Sequence, residues 1–320
     1  MARYIVRRVL WGVALLVIVT AVVFILFYVL PTADPAKLRA GRTANPQLIN
    51  DIREQLHLDD PIYVQFWDYL KNVFLHFDFG QSYLSQASVK DIIFDRLPAT
   101  ALLVVGAVIL WLGIAIPVGI ISAVKRRSLL DRTTMVTSLA FISAPVFWLG
   151  LVALYLFAND VGLIPLFPGQ GSYLTADSFL AKCGSMLLPW MVLAAATAAI
   201  YARYLRSSMI DTMAEDYIRT ARAKGLPERQ VIMKHGVRAA ITPIVTLLGL
   251  DIGLLLAGNA ILTETVFNIP GIGQQIVLSI RRSDLPMIQG IVLFGAFFIV
   301  IFNLIVDILY AFLDPRVRYQ

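Results

Sequence analysis

Two carboxylates stand where carboxylates are rare. Asp251 sits inside the apolar stretch Ala239–Thr263, and Asp307 inside Met287–Leu313. A charge at the centre of a bilayer costs roughly 2.5–3.5 kcal/mol on insertion scales, so such a group either faces a water-filled ion path or holds a partner. Asp251 lies about ten residues into its stretch, close to the midplane at about 1.5 Å per residue. Asp307 lies near the end of its own. One reading makes the pair proton- or ion-coupling groups of a carrier. The other gives Asp251 a hydroxyl or amide partner and sets Asp307 beside interfacial arginines. No second buried charge lies at matching depth, which favours the structural partners. Asp251, Asn259 and Pro145 are the candidates for lining a translocation pathway.

No other residue pattern supplies chemistry. His57, His76 and His235 fall outside the long apolar stretches, and neither His-Glu-x-x-His nor Gly-x-Ser-x-Gly occurs. A Gly-x4-Gly-Lys-Ser/Thr phosphate loop is missing too. Gly271-Ile272-Gly273 follows Pro270 and has no lysine behind it, so it reads as a turn. A single cysteine, Cys183, excludes an internal disulfide and leaves too few thiols for a cysteine-based metal site. The expectation is a protein with no catalytic residues, no metal and no cofactor.

The elements that carry these residues follow from composition. The chain has 320 residues, 58% hydrophobic and 15% charged; soluble domains run about 45–50% apolar and about 25% charged. Too little charge is present to coat a water-facing surface. A net charge of +6 suits nucleic acid or a membrane, and its distribution favours the membrane. A bilayer core of about 30 Å needs roughly 20 apolar helical residues. Six segments qualify: Val9–Leu30, Ala99–Val124, Thr133–Ala158, Gly184–Ala202, Ala239–Thr263 and Met287–Leu313. The first is too long for a signal-peptide core and is expected to stay as a helix. The fold expected is all-α and integral to the membrane. Pro117, Pro145, Pro189 and Pro243 predict kinks, which membrane bundles tolerate. Gly249, Gly253, Ala257 and Gly258 make a small-residue stripe suited to helix packing.

Lys and Arg set the orientation. With the N-terminus inside, cytoplasmic segments hold 17 of them and external segments 10, seven of those in one long loop that the rule largely exempts. Both termini are expected in the cytoplasm. The chain divides into an N-terminal helix with an external cap, residues 1–98, and a five-helix core, 99–320. In the cap, Asn45-Pro46 and Asp60-Pro61 each read as an N-cap followed by proline at the first helical position. Leu48, Ile49, Ile52 and Leu56 share one helical face, as do Ile62, Phe66, Tyr69, Val73 and Phe77. The cap either shields the bundle or docks a partner. The cytoplasmic connection, about 203–240, carries Thr212-Met213-Ala214-Glu215, which fits a capping box opening a helix through about Lys224. Gly225 can then take the left-handed C-terminal cap, and Pro227-Glu228 starts another helix.

Within that connection, the run from Asp216 through Tyr217, Ile218, Arg219, Thr220, Ala221, Arg222, Ala223, Lys224 and Gly225 to Leu226 resembles the coupling-loop signature of binding-protein-dependent ABC permeases, in the dipeptide/oligopeptide (peptide/nickel) branch. The opening Arg3-Tyr4-Ile5-Val6-Arg7-Arg8, the run Ser143 to Gly150, the run Thr265 to Gly273 and the ending Asp314-Pro315-Arg316 resemble the same branch. The generic signature has Glu-Ala-Ala where this chain has Arg219-Thr220-Ala221. Its closing proline also comes sooner than Pro243, which stands 18 residues after Gly225. The resemblance implies the six-helix MetI-like fold of type I importers and a permease subunit for short peptides in a bacterial inner membrane; an oligosaccharide or nickel-chelate permease is the alternative. It implies two separate ATPase subunits, a second homologous permease and an external substrate-binding protein. Thr220, Ala221, Arg222, Ala223, Lys224, Gly225, Leu226, Pro227 and Glu228 would form the ATPase contact. Ala221 and Ala223 would allow close approach, and Arg222 and Lys224 would pair with acidic groups.

Overall fold

The computed structural model describes residues 2–30, 34–40, 45–55 and 58–313, the side chains of 2–4, 258–259 and 309–313 aside. Asp314, Pro315, Arg316, Leu56 and His57 lie outside the described residues, as do the side chains of Arg3, Tyr4 and Asn259. Fourteen helices follow in order among those described: α1 (Ala2–Phe24, continued by a π turn, Ile25–Val29), α2 (Pro35–Ala40), α3 (Pro46–Gln55), α4 (Ile62–Lys71, continued by a π turn, Asn72–His76), α5 (Val89–Val124), α6 (Leu129–Ser143), α7 (Val146–Phe157), α8 (Phe179–Met213), α9 (Asp216–Ala223), α10 (Glu228–Ala240), α11 (Thr242–Leu254, continued by a π turn, Leu255–Asn259), α12 (Ile261–Phe267), α13 (Ile272–Arg281) and α14 (Leu285–Leu313). No strand is described, only two isolated bridges.

Among the described residues four helical stretches are long and apolar enough to cross a membrane: Ile5–Val29, Val89–Val124, Phe179–Met213 and Leu285–Ile308. Two bent pairs, α6 with α7 and α10 with α11, bring the number to six if each pair is one span. The bend of the first pair is 102°, so the kink expected at Pro145 in the segment Thr133–Ala158 is a full break between two helices. Proline is the reason. Pro145 disfavours the helical region for the residue before it, and Ala144 is extended at φ −85°, ψ 128°. The second pair bends by 45° next to Pro243, the kink expected there. Pro189 lies inside the unbroken α8, and Pro117 inside the unbroken α5.

The described contacts fall into two compact units. The first comprises Met1–Thr100, Gly253–Ile261 and Pro270–Ile308. Val89 and Ile93 of α5, Ile272 of α13 and Met287, Ile291 and Phe294 of α14 form one apolar core there. Helix α4 packs the middle of its predicted face: Phe24 of α1 meets Phe66 at 5.3 Å and Tyr69 at 5.8 Å, and Val73 is buried with Val23 and Leu293, whereas Ile62 and Phe77 are exposed. Asn45 accepts from Leu48 N–H at 2.7 Å, the expected cap of α3. Asp60 does not cap α4. The Pro61 carbonyl takes the first helical bonds, from Val64 and Gln65, so α4 begins one residue later than proline at the first position requires.

The second unit comprises Ala101–Ile252, Leu262–Ile269 and Leu309–Gln320. Half of the most apolar window of α8 is buried inside the protein, whereas α1 buries 17% of its own. The difference makes α8 the central post of its unit, with α6 and α7 packed along it. Trp190 of α8 fits a notch at Gly106 of α5: a Cβ there would lie 1.9 Å from the indole ring. The ring is held in place because its Nε1–H donates to the Leu102 carbonyl at 3.0 Å.

One polar cluster joins three helices of this unit. Asp131, in the first turn of α6, is 4% exposed. Its carboxylate accepts from Arg206 Nε at 2.6 Å and Nη2 at 2.9 Å, from Ser122 Oγ at 2.5 Å and from Arg127 N–H at 2.9 Å. A carboxylate offers about four lone-pair sites, and here all are taken. Ser128 caps the same turn, its Oγ accepting from Asp131 N–H at 3.2 Å.

A valine at position 106 would drive into a ring that cannot retreat. Gly106→Val is expected to cost about 1–3 kcal/mol, read as a lower midpoint of thermal unfolding in detergent. An unchanged midpoint would contradict the packing.

Candidate coupling site

Helix α8 carries its register out of the apolar region through Arg203 and Arg206 to Met213. Thr212 therefore lies inside the last turn of α8, and its carbonyl accepts Glu215 N–H at 3.2 Å. The expected Thr212–Glu215 capping box is not made: Glu215 itself is the N-cap of α9, with no side-chain bond. The local motif is present, but the longer helix claims its first residue.

The far end of α9 is as the sequence demands. Gly225 adopts φ +76°. Its N–H donates to the Arg222 carbonyl at 2.9 Å and the Leu226 N–H to the Ala221 carbonyl at 3.4 Å, the paired bonds of a Schellman cap. Leu226 then folds onto the inner face of α9, where Ile218 and Ala221 are buried with Val231 and Met213. A Cβ on Gly225 would meet nothing within 4 Å, so the glycine is required by its backbone angle and not by crowding. Pro227 caps α10, and its carbonyl accepts Gln230 N–H at 2.8 Å.

These contacts sort the nine predicted contact residues. Ala221 turns inward and packs on its own unit, whereas Ala223 is exposed. Arg222 is engaged within the loop: Nη2 and Nε donate to Glu228 Oε1 and Oε2 at 2.7 and 3.1 Å, closing the corner with a two-pronged ion pair. Thr220 donates to the Asp216 carbonyl at 3.0 Å. The outward face presents Tyr217, Arg219, Thr220, Ala223 and Lys224 to solvent.

Of the three pathway candidates, Asp251 and Pro145 have described side chains. Asp251 accepts from the Tyr201 hydroxyl at 2.6 Å, and the Tyr201 ring lies 5.7 Å from that of Trp111. Trp111 is fully buried, and its Nε1–H has no partner among the described residues. Pro145 is the N-cap of α7 at the 102° bend. No hydrogen bond or ring contact joins it to Asp251 among the described residues. In the other unit, Arg8 Nε lies 3.1 Å from Asp307. Both intramembrane acids thus have the kinds of partner expected of structural groups. Among the described residues no three His, Cys, Asp or Glu side chains gather as a metal site would require. Sequence reasoning missed Asp131 and Arg206; the Ser128-x-x-Asp131 cap motif was the available signal for the first.

Residues 115–319 match the family described as binding-protein-dependent transport system inner membrane component. The chain belongs to that family. Residues 1–105 match the N-terminal part of such membrane components. The permease is 40% identical over 320 residues, all of both chains, to the glutathione transport system permease protein GsiC of Escherichia coli strain K12 and to that of Shigella dysenteriae serotype 1. The same protein of Salmonella typhi is equally similar, again at 40% over 320 residues. The chain is therefore the transmembrane permease of an ATP-driven importer, and α9 with its glycine corner lies where the resemblance put a coupling loop.

The Arg222 guanidinium holds the Glu228 carboxyl below the usual glutamate value. A depressed folded value means the pair's contribution is present at neutral pH and disappears as acid protonates Glu228. Amide exchange in residues 220–230 is expected to quicken as pH falls through the lower end of the carboxylate range, after correction for intrinsic rates. Glu228→Gln should show the faster exchange at neutral pH and lose the pH step; a step that persists in that variant would assign it to another group.

Proposed function

We propose that the permease forms half of a translocation pathway for short peptides, glutathione among them, and that the α9 corner seats on a separate ATPase. The single observation that supports this most is the build of that corner. One face of α9 is locked to its own unit by Ile218, Ala221 and the Schellman cap, while the other offers Ala223, Lys224 and Arg219 to solvent. A short helix fixed on one side and open on the other suits a mechanical contact. The substrate reading rests on the permeases named above, which serve glutathione transport.

On this reading a second homologous permease completes the pathway and two ATPases bind from the cytoplasm, where both termini lie. An external binding protein delivers substrate to the outer surface, residues 31–98 included. Residues 1–98 act as the N-terminal helix and cap, 99–320 as the permease core. Nucleotide-driven closure of the ATPases presses the two coupling corners together and rocks the bundles between inward- and outward-open states. The ion-coupled alternative loses its footing, since Asp251 is tied to Tyr201 and Asp307 to Arg8.

Ala223→Glu puts a charge on the contact face, and Gly225→Asp strains a residue at φ +76°. Both are expected to abolish uptake of labelled glutathione and of labelled trialanine in cells while the protein still inserts and co-purifies with its partner permease. Uptake of either at the normal rate in both variants would refute the coupling role. Trialanine uptake without glutathione uptake in the unmodified protein would remove glutathione alone.

A further inference from the structure

The four-bonded carboxylate of Asp131 lies at a mechanical junction. Arg206 precedes the end of α8 by seven residues, about 10 Å of helix at 1.5 Å per residue, and α9 follows after the two-residue corner of Ala214 and Glu215. On the other side of the ion pair, Asp131 stands in the first turn of α6, whose opposite end is the 102° bend into α7. The α5–α6 corner is wrapped tightly around the same carboxylate: Ser122 of α5 donates to it, and Arg127 is held at φ 67°, a left-handed angle for a non-glycine residue, while its N–H donates as well. Such strain persists only where surrounding contacts over-determine it. Arginine grips both carboxylate oxygens, so the pair resists rotation as well as separation.

We infer that Asp131 and Arg206 are positioning residues that pass the movement of α9 through α8 to the broken helix α6–α7, the element that would then reshape the pathway. This rests on the coupling role proposed for α9. An apolar contact would allow α6 to slide along α8. The two-pronged pair ties the start of α6 to α8, so that a push entering at α9 tilts α6 about its bend.

The experiment separates this role from a merely structural one and from failure of the coupling reading. In the assembled importer, with Cys183→Ser as background, a spin label is placed at Leu139→Cys on α6 or at Arg229→Cys beside the corner; both positions are exposed. Each is compared without nucleotide and with vanadate-trapped ATP. The unmodified pair should give a shift at both labels. Asp131→Asn with Arg206→Gln removes both charges together and leaves no buried ion unpaired, so assembly is retained. Its Arg229 label should still respond, the Leu139 label should not, and glutathione or trialanine uptake per ATP hydrolysed should fall about tenfold, within the range of ordinary coupling energies. A Leu139 label that follows nucleotide normally in the double variant makes the pair structural and overturns the inference while leaving the coupling role intact. An Arg229 label that ignores nucleotide in the unmodified importer overturns both. If the double variant fails to assemble, Arg206→Lys keeps the charge without the two-pronged grip; it should uncouple in the same direction, and full coupling in it would equally refute the inference.

Discussion

Hydrocarbon offers the backbone no hydrogen bonds, so a chain that lives in it must be helical wherever something else does not take up its N–H and C=O groups. The architecture can be traced from that constraint by asking what happens at each break. At Pro145 one donor is absent by chemistry, and α7 starts there. Between α10 and α11 the carbonyl of Ile241 accepts from both Ile244 and Val245, at 3.0 and 3.1 Å. At the end of α12 the carbonyls of Val266 and Phe267 are met by the Gln170 side chain and the Gly171 N–H. In the other unit the Ile272 N–H that opens α13 donates to Thr100 Oγ1 at 2.9 Å. At these ends another group takes up what the next turn would have satisfied.

The same accounting distinguishes the acids. Asp131 is nearly inaccessible yet has a full set of donors, including a guanidinium, and can stay ionised where burial alone would oppose it. Asp307 has an arginine at the edge of its span. Asp251 has one phenolic donor, on a tyrosine that is itself buried against Trp111. Two of these acids thus sit at joints: Asp131 at the α5, α6 and α8 corner, Asp251 at the contact of α11 with α8.

Much of the fold could be read from the sequence because its strongest signals are local and physical. Apolar length located the membrane segments. The φ freedom of glycine marked residue 225, and an asparagine before proline marked the start of α3. What could not be read is non-local or competitive. Asp131 and Arg206 are separated by 75 positions, and a count of charges for orientation treats Arg206 as a loop cation. Proline marked the place of the bend at Pro145 but not its size, 102° with Ala144 extended. Thr212 to Glu215 satisfies a capping motif, yet α8 extends over its first residue because a helix already nucleated adds a turn more readily than a new one begins. At the candidate site the face each residue occupies was not given by spacing alone, as Ala221 turned inward demonstrates.

An eight-residue helix such as α9 is well below the roughly 12–15 residues at which isolated helices become even marginally stable in water. Left as a plain loop, it would yield under load and transmit nothing. Three separate devices offset that weakness: Ile218 and Ala221 packed against Val231, the Schellman cap at Gly225, and the Arg222–Glu228 pair across the corner. All three act between α9 and its own chain, and none occupies the outward face. The corner is therefore stiff by itself, and on the coupling role proposed above a partner would not have to spend free energy on ordering it. On the same proposal, a force applied to the exposed face would reach α10 through Val231 and Glu228, and α8 through the two-residue corner of Ala214 and Glu215.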